Sequence, residues 1–513
     1  MKRFRFILAG LFCSMALTGL ACRLTSAAPA SWSGTPTAEA RNATNTAFAG
    51  TLNAEVSEAP EPLTSPTPTP DNSTATPQPT VAQDGPWLIF PGLTSDMIQS
   101  YDIDAGSLME ISLPEPVITT DLVNGLSPDG QTLIVRAGSP LNTDELGLYR
   151  VDLMTGKTSQ LTPLLNLDVQ RKLVNETGTR AFDTLRAVTR EDSLAWSPDG
   201  RYLAFTAALN TTSSDLYIWD PEKEQINRLN GLYSHSASPY WSPASNWLVA
   251  QDLGDYNQET GWRVEAVSAL QIPGFNNQST LYLPVVGSIG EVFVGWLNAQ
   301  SLMSYSMTVE GPKMLRQVNL ETHKSTVHLA GSLMQAASDP ASGAFTYALD
   351  AESAAEANLI GGVYLVLPGS ASPNLVRAGA WPSLTWDLGG MFLASGPQGL
   401  LAFTPEGQSI HLPDESQARL SPSGNWIVAW GAADESSAGA RLYQSPSGTQ
   451  LQSLTDLPVR DLCWQPDSKG FFILADGSLY HLVFPGLNPV EIASRFSEDQ
   501  EFVMAWAAAG DEE

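Results

Sequence analysis

The chain has 513 residues, with 26 Lys+Arg against 54 Asp+Glu and a formal net charge of −28. That balance excludes nucleic acid as a partner, since phosphate-backbone binding needs clustered cations, and it repels anionic lipid headgroups. Three cysteines exclude a disulfide scaffold, while a hydrophobic fraction of 43% leaves ample material for a large core.

The N-terminus reads as a targeting segment. Lys2, Arg3 and Arg5 form a positive region, and the apolar stretch from Ile7 to Leu20 is short for a bilayer span. Thr18-Gly19-Leu20-Ala21-Cys22 then resembles the bacterial lipobox, although Gly19 stands where that motif prefers Leu. The resemblance implies that residues 1–21 are a lipoprotein signal peptide and that Cys22 is the lipidated residue. It also implies a protein outside the cytoplasm that touches the membrane through its lipid anchor only. Without residues 1–21 the chain keeps 23 basic residues against 54 acidic ones, formally −31. Cys13 leaves with the signal. Cys463, in Leu462-Cys463-Trp464, is expected to be a small core hydrophobe.

Residues 22–84 change composition sharply. Ala, Thr, Ser and Pro dominate, with Ser65-Pro66-Thr67-Pro68-Thr69-Pro70 and Thr76-Pro77-Gln78-Pro79-Thr80 near the end. Such a segment has too little apolar surface to offset ordering entropy, so a disordered, partly polyproline-like tether is expected. Its length corresponds to a coil span of roughly 40–47 Å. The Thr/Ser/Pro content also suits O-glycosylation.

From residue 85 onward one pattern returns. Leu194-Ala195-Trp196-Ser197-Pro198-Asp199-Gly200, Leu126-Ser127-Pro128-Asp129-Gly130 and Leu420-Ser421-Pro422-Ser423-Gly424 are its clearest copies, with weaker ones at Trp241, Asp339, Trp386 and Trp464. Pro at the second turn position sets φ near −65°, Asp tolerates the third, and Gly closes a type I turn. The flanking runs, such as Tyr202-Leu203-Ala204-Phe205 and Trp426-Ile427-Val428-Ala429, have the composition and length of strands. The anchors Leu126, Trp196, Trp241, Trp296, Ser338, Trp386, Leu420, Trp464 and Trp506 lie 34 to 70 residues apart. Periods of this size mean propeller blades. The chain is therefore expected to be all-β, with residues 85–513 forming a single β-propeller of eight or nine four-stranded blades. Trp506 ends a strand with no partner after it, and Trp87-Leu88-Ile89-Phe90 begins a unit lacking its first strand. A C-terminal strand from Phe502 to Trp506 should complete the N-terminal blade and remove both edges.

The Ser-Pro-Asp-Gly turns after apolar or Trp-bearing strands resemble the TolB-like, WD-repeat-like propellers of bacterial envelopes. They are also similar to the propeller that precedes the hydrolase domain in prolyl-oligopeptidase-type peptidases. In those families the turns are architectural, which implies structural roles for Pro128, Asp129, Pro198 and Asp199. A peptidase of this type needs an α/β-hydrolase domain with a Gly-x-Ser-x-Gly elbow, and the sequence holds no such elbow. Peptidase activity in cis is not expected.

No catalytic constellation emerges, so a non-enzyme without metal or cofactor is expected. His323 and His328 lack the companions of a zinc site, and the acidic run from Asp252 to Glu259 lacks calcium-loop spacing. Two insertions are the candidate binding loops. The first, about 163–192, collects Arg171, Lys172, Arg180 and Arg186, with a short helix expected over Leu167–Val174. The second, about 254–279, carries Tyr256, Trp262, Asn276 and Asn277, aromatics and amides suited to a sugar ring or a protein surface. The overall reading is a monomeric, lipid-anchored scaffold that binds an envelope protein or a cell-surface polymer, glycan included. One alternative is a carbohydrate-active enzyme (lyase, glycosidase or lactonase) with acids converging on the central channel. Another is a solute-binding sensor.

Overall fold

The structure, a computed structural model, describes residues 85–141, 145–175, 180–229, 235–272, 280–282, 288–308, 313–370, 372–387, 389–431, 439–498 and 500–508. Cys22 and the tether lie outside the described residues, as do Asn276 and Asn277. The strands form a β-propeller of nine blades, the upper of the two expected numbers. Eight blades are four-stranded antiparallel meanders. The second blade has three strands, Thr132–Ala137, Gly147–Asp152 and Thr158–Pro163. Its inner position is held by the isolated bridges Leu126↔Leu133 and Val117↔Ala137 and by the short helix α1, Asp121–Asn124. The Leu126 copy of the motif thus supplies a turn without a regular inner strand. The weak copy at Asp339 does close an inner strand, Gln335–Ser338.

The repeated turns form as their chemistry dictates. Gly130, Gly200 and Gly424 each donate their amide to the serine three residues earlier, at 2.8–2.9 Å. Each serine hydroxyl accepts the amide of the residue five positions on, Thr132, Tyr202 or Trp426, at or just before the start of the next strand, at 2.9–3.1 Å. Neighbouring blades are then stitched by indoles. Trp196 donates Nε1–H to the Gly125 carbonyl at 2.8 Å, Trp241 to Ala195 at 3.0 Å and Trp464 to Arg419 at 3.2 Å. In every case the acceptor directly precedes the anchor of the blade before.

Ring closure takes the expected route. The final strand, Ala505–Ala507, pairs antiparallel with Trp87–Pro91 in the register Trp87↔Ala507, Leu88↔Trp506, Ile89↔Ala505. It is shorter than the expected 502–506 and ends one residue later, and ahead of it Phe502 and Met504 bury their side chains beside Phe90 and Phe472. At this seam Gly130 is required twice over. Its φ is +73°, and a Cβ there would meet the Ala508 amide nitrogen at 2.3 Å.

The first insertion holds two helices, one of them expected. Helix α2 spans Leu167–Asn175, close to the expected 167–174, and helix α3 spans Arg180–Val188. Their apolar faces, Val169, Leu173, Ala181 and Val188, join Leu148, Leu203 and Phe205 in one cluster between the second and third blades. The first insertion is thus a packed cap rather than a solvated loop.

Candidate functional site

In a meander of this kind, the turns from first to second strand share one face of the ring with those from third to fourth. Links from second to third strand, and from one blade to the next, share the other. Helices α2 and α3 belong to a blade-to-blade link, and the hairpin between Trp247–Asn257 and Gly261–Gln271 is a second-to-third link in the fourth blade. Both insertions therefore rise from the same face. The second one is largely not a loop: its described part, through residue 272, continues two 11-residue strands whose register sets Tyr256 opposite Trp262.

The two meet. The Arg186 guanidinium carbon lies 4.4 Å from the centre of the Tyr256 ring, a cation–π contact. Arg180 reaches Asp255 at 3.8 Å across the same junction, and Arg186 is held by Asp183 at 3.0 Å one turn earlier on α3. Trp262 stands edge-to-face with Tyr256 at 5.3 Å and with His235 at 5.4 Å. Of the expected binding residues, the structure thus gathers Arg180, Arg186, Tyr256 and Trp262. Arg171 and Lys172 lie on α2, the first exposed and the second ion-paired with Asp168 at 3.0 Å.

A buried polar layer supports this surface. His235 is buried, accepts the Ser214 amide on Nδ1 at 3.3 Å, and its pKa is pushed down to about 4 by desolvation. Asp252 faces Ser236 at 3.0 Å and Ser268, without a basic partner among its contacts. Burial pushes its pKa up to about 7, with Glu265 adding to the rise and the two serine hydrogen bonds opposing it. The acidic run at 252–259 therefore does not converge on one point. Asp252 is buried and Asp255 is exposed on Arg180. Among the described residues, no group of three or more His, Cys, Asp and Glu is arranged to hold a metal.

Helix α3 is positioned from beneath. Arg136, fully buried, pairs with buried Asp121 at 2.6 Å and donates to the Val188 carbonyl at 2.6 Å, at the C-terminal end of α3. A guanidinium at that place satisfies an orphan carbonyl and complements the helix dipole. Ser193 adds a bond to the Ala187 carbonyl at 2.8 Å. Other buried acids are likewise used structurally, Glu291 on Arg316 at 2.9 Å and Glu415 on Arg441 at 2.5 Å. Sequence reasoning missed His235, Asp121 and Arg136. Arg136 showed only as a charge inside the apolar run Leu133-Ile134-Val135, and Asp121 and His235, among threonines and serines, gave no sign of burial. Cys463 packs beside Phe472 and Trp506, and burial pushes its thiol up to about 12, which makes it a poor nucleophile.

Comparisons with known proteins bear on the fold. No family profile and no curated protein matches the chain. Among solved structures, a eukaryotic initiation factor is similar over 83% of this chain and 100% of its own, with 11% identity and a TM-score of 0.51. TolB from Acinetobacter baumannii aligns with 65% of this chain and 65% of its own, at 13% identity and a TM-score of 0.30. A prolyl endopeptidase aligns with 72% of this chain and 50% of its own, at 10% identity and a TM-score of 0.39. The chain thus spans less than two thirds of the last two proteins. At these identities the likeness concerns the propeller fold alone.

Proposed function

We propose that the protein is a lipid-anchored, extracytoplasmic binding module whose working surface is the junction of α3 with the fourth-blade hairpin. The observation that carries this reading is the Arg186–Tyr256 contact, which joins two insertions into one patch of arginines and aromatics, the arginines balanced by Asp183 and Asp255. Arginine and large aromatics are the side chains that most often anchor a partner. The tether supports the same reading. Pro86, at the start of the propeller, lies beside the turns of Pro128 and Pro466, which belong to the opposite face. A tether leaving from that face keeps the patch on the other face unobstructed for an envelope protein or a cell-surface polymer such as a glycan.

The test has two arms. Metabolic lipid labelling of the wild type, absent in Cys22→Ala, checks the anchor. Capture from solubilised envelope and from isolated surface polysaccharide, using the chain from Arg23 onward, checks the patch. Arg186→Ala and Tyr256→Ala should each weaken capture at least about tenfold, as hot-spot truncations do, with the urea midpoint little changed. Capture of nothing from either source, or capture unaffected by both substitutions, would remove this reading.

A further inference from the structure

On the opposite face, at the seam, lies a cavity of about 560 Å³ lined by Pro86, Ile103, Pro128, Pro466 and Trp506. It sits where the ninth, first and second blades meet, beside the end of the closing strand. Apolar walls carrying one indole are the recognition surface that proline-rich, polyproline-type segments use. Trp196, Trp241 and Trp464 spend their Nε1–H on the preceding blade, whereas the anchors Trp296 and Trp506 make no such bond among the described residues, and of these two it is Trp506 that lines the cavity.

We propose that this groove binds the chain's own segment Ser65–Pro70, laid in as an extended polyproline-type strand. That segment lies outside the described residues, and the chain leading from it ends at the groove, since Pro86 is part of the wall. The intervening residues 71–85 can reach at most roughly 50 Å, so the segment cannot leave the neighbourhood and competes at high effective concentration. Its chemistry matches. Pro66, Pro68 and Pro70 lack N–H groups, so the segment carries more acceptors than donors and suits a wall offering a spare donor. Ser65–Pro70 is also uncharged, which tolerates Asp104 and Asp467 in the lining where an acidic segment would be repelled. Docked there, the tether would brace the closure and fix the direction in which the ring leaves its anchor.

Fluorine NMR on the chain from Arg23 onward, labelled with 5-fluorotryptophan, reads this contact. The resonance lost in Trp506→Phe identifies the indole. Replacing Pro66, Pro68 and Pro70 together by Ser should shift that resonance and leave the other tryptophans in place, which also verifies the fold. A synthetic peptide of residues 63–72, added to the triple variant, should restore the original shift. Trp506→Phe, introduced with the triple variant, should weaken the peptide about three- to tenfold by isothermal titration calorimetry, the worth of one hydrogen bond. A resonance indifferent to the triple substitution overturns the proposal. So does a peptide that binds the triple variant without bringing the resonance back, which would make the groove a site for another molecule.

Discussion

His235 and Asp252 show how burial, as the largest cause, gives two neighbouring groups opposite pH behaviour. The histidine is held neutral, with its pKa near 4 against 6.5 when unfolded. Its contribution is complete above about pH 6.5 and is lost as pH falls toward 4, because the unfolded chain then binds the extra proton. For Asp252 the sign reverses. Its pKa near 7 lies above the ordinary 3.8, so the folded state holds the proton. Stability is greatest below about pH 4 and declines as pH rises to 7. Asp252→Asn, which keeps hydrogen bonds to Ser236 and Ser268, should gain about 1–4 kcal/mol over the wild type at pH 8 and little at pH 4. His235→Asn should flatten the decline on the acid side. Urea midpoints across pH 4–8 check both, and a gain for Asp252→Asn that is equal at both ends would contradict the assignment. Neither shift was legible beforehand, since Asp252 belongs to an acidic run that reads as solvated and His235 stands alone. What decides is which side of a strand faces inward.

At the level of elements, the capping helices depend on a pair drawn from another blade. Arg136 and Asp121 are both buried, and the arginine also ends α3 at Val188. Arg136→Leu leaves a buried carboxylate uncompensated and should cost about 3–5 kcal/mol, whereas pairing it with Asp121→Leu should recover much of that loss. Hydrogen exchange should quicken at 180–188 in both variants, because each lacks the donor to Val188. Unchanged exchange there would mean that the apolar contacts of Val169, Leu173 and Ala181 hold the cap alone. The helix over 167–175 was legible from its sequence, but α3 was not. Short helices of nine residues gain most of their stability from packing, which local pattern does not reveal.

For the whole molecule, closure rests on a contact between the second blade and the end of the chain. Gly130 and Gly261 both have positive φ, +73° and +76°, yet only Gly130 has backbone within reach of an added Cβ. Gly261→Ala should cost about 1 kcal/mol from conformation alone. Gly130→Ala should cost distinctly more, about 2–4 kcal/mol, since the Ala508 backbone has to move as well. The excess should appear as faster amide exchange in Trp87–Pro91, the strand zipped to 505–507. Equal losses in the two variants would place the stability of the seam elsewhere.

The sequence by itself determined the repeat, the nature of its turns and the closing of the ring. Those features rest on local chemistry: proline and glycine act within four residues, and a strand's composition is its own. It also marked Arg180, Arg186, Tyr256 and Trp262 as residues of interest, on two separate insertions. Only the tertiary structure brought them together, because Arg186 and Tyr256 are distant in sequence and meet only where the cap before the third blade reaches the fourth-blade hairpin. It alone decided that the ring has nine blades and that the second one replaces its inner strand with a helix and bridges. Blade number follows from how neighbouring sheets pack around a common axis, a property of the assembled ring that no single repeat contains.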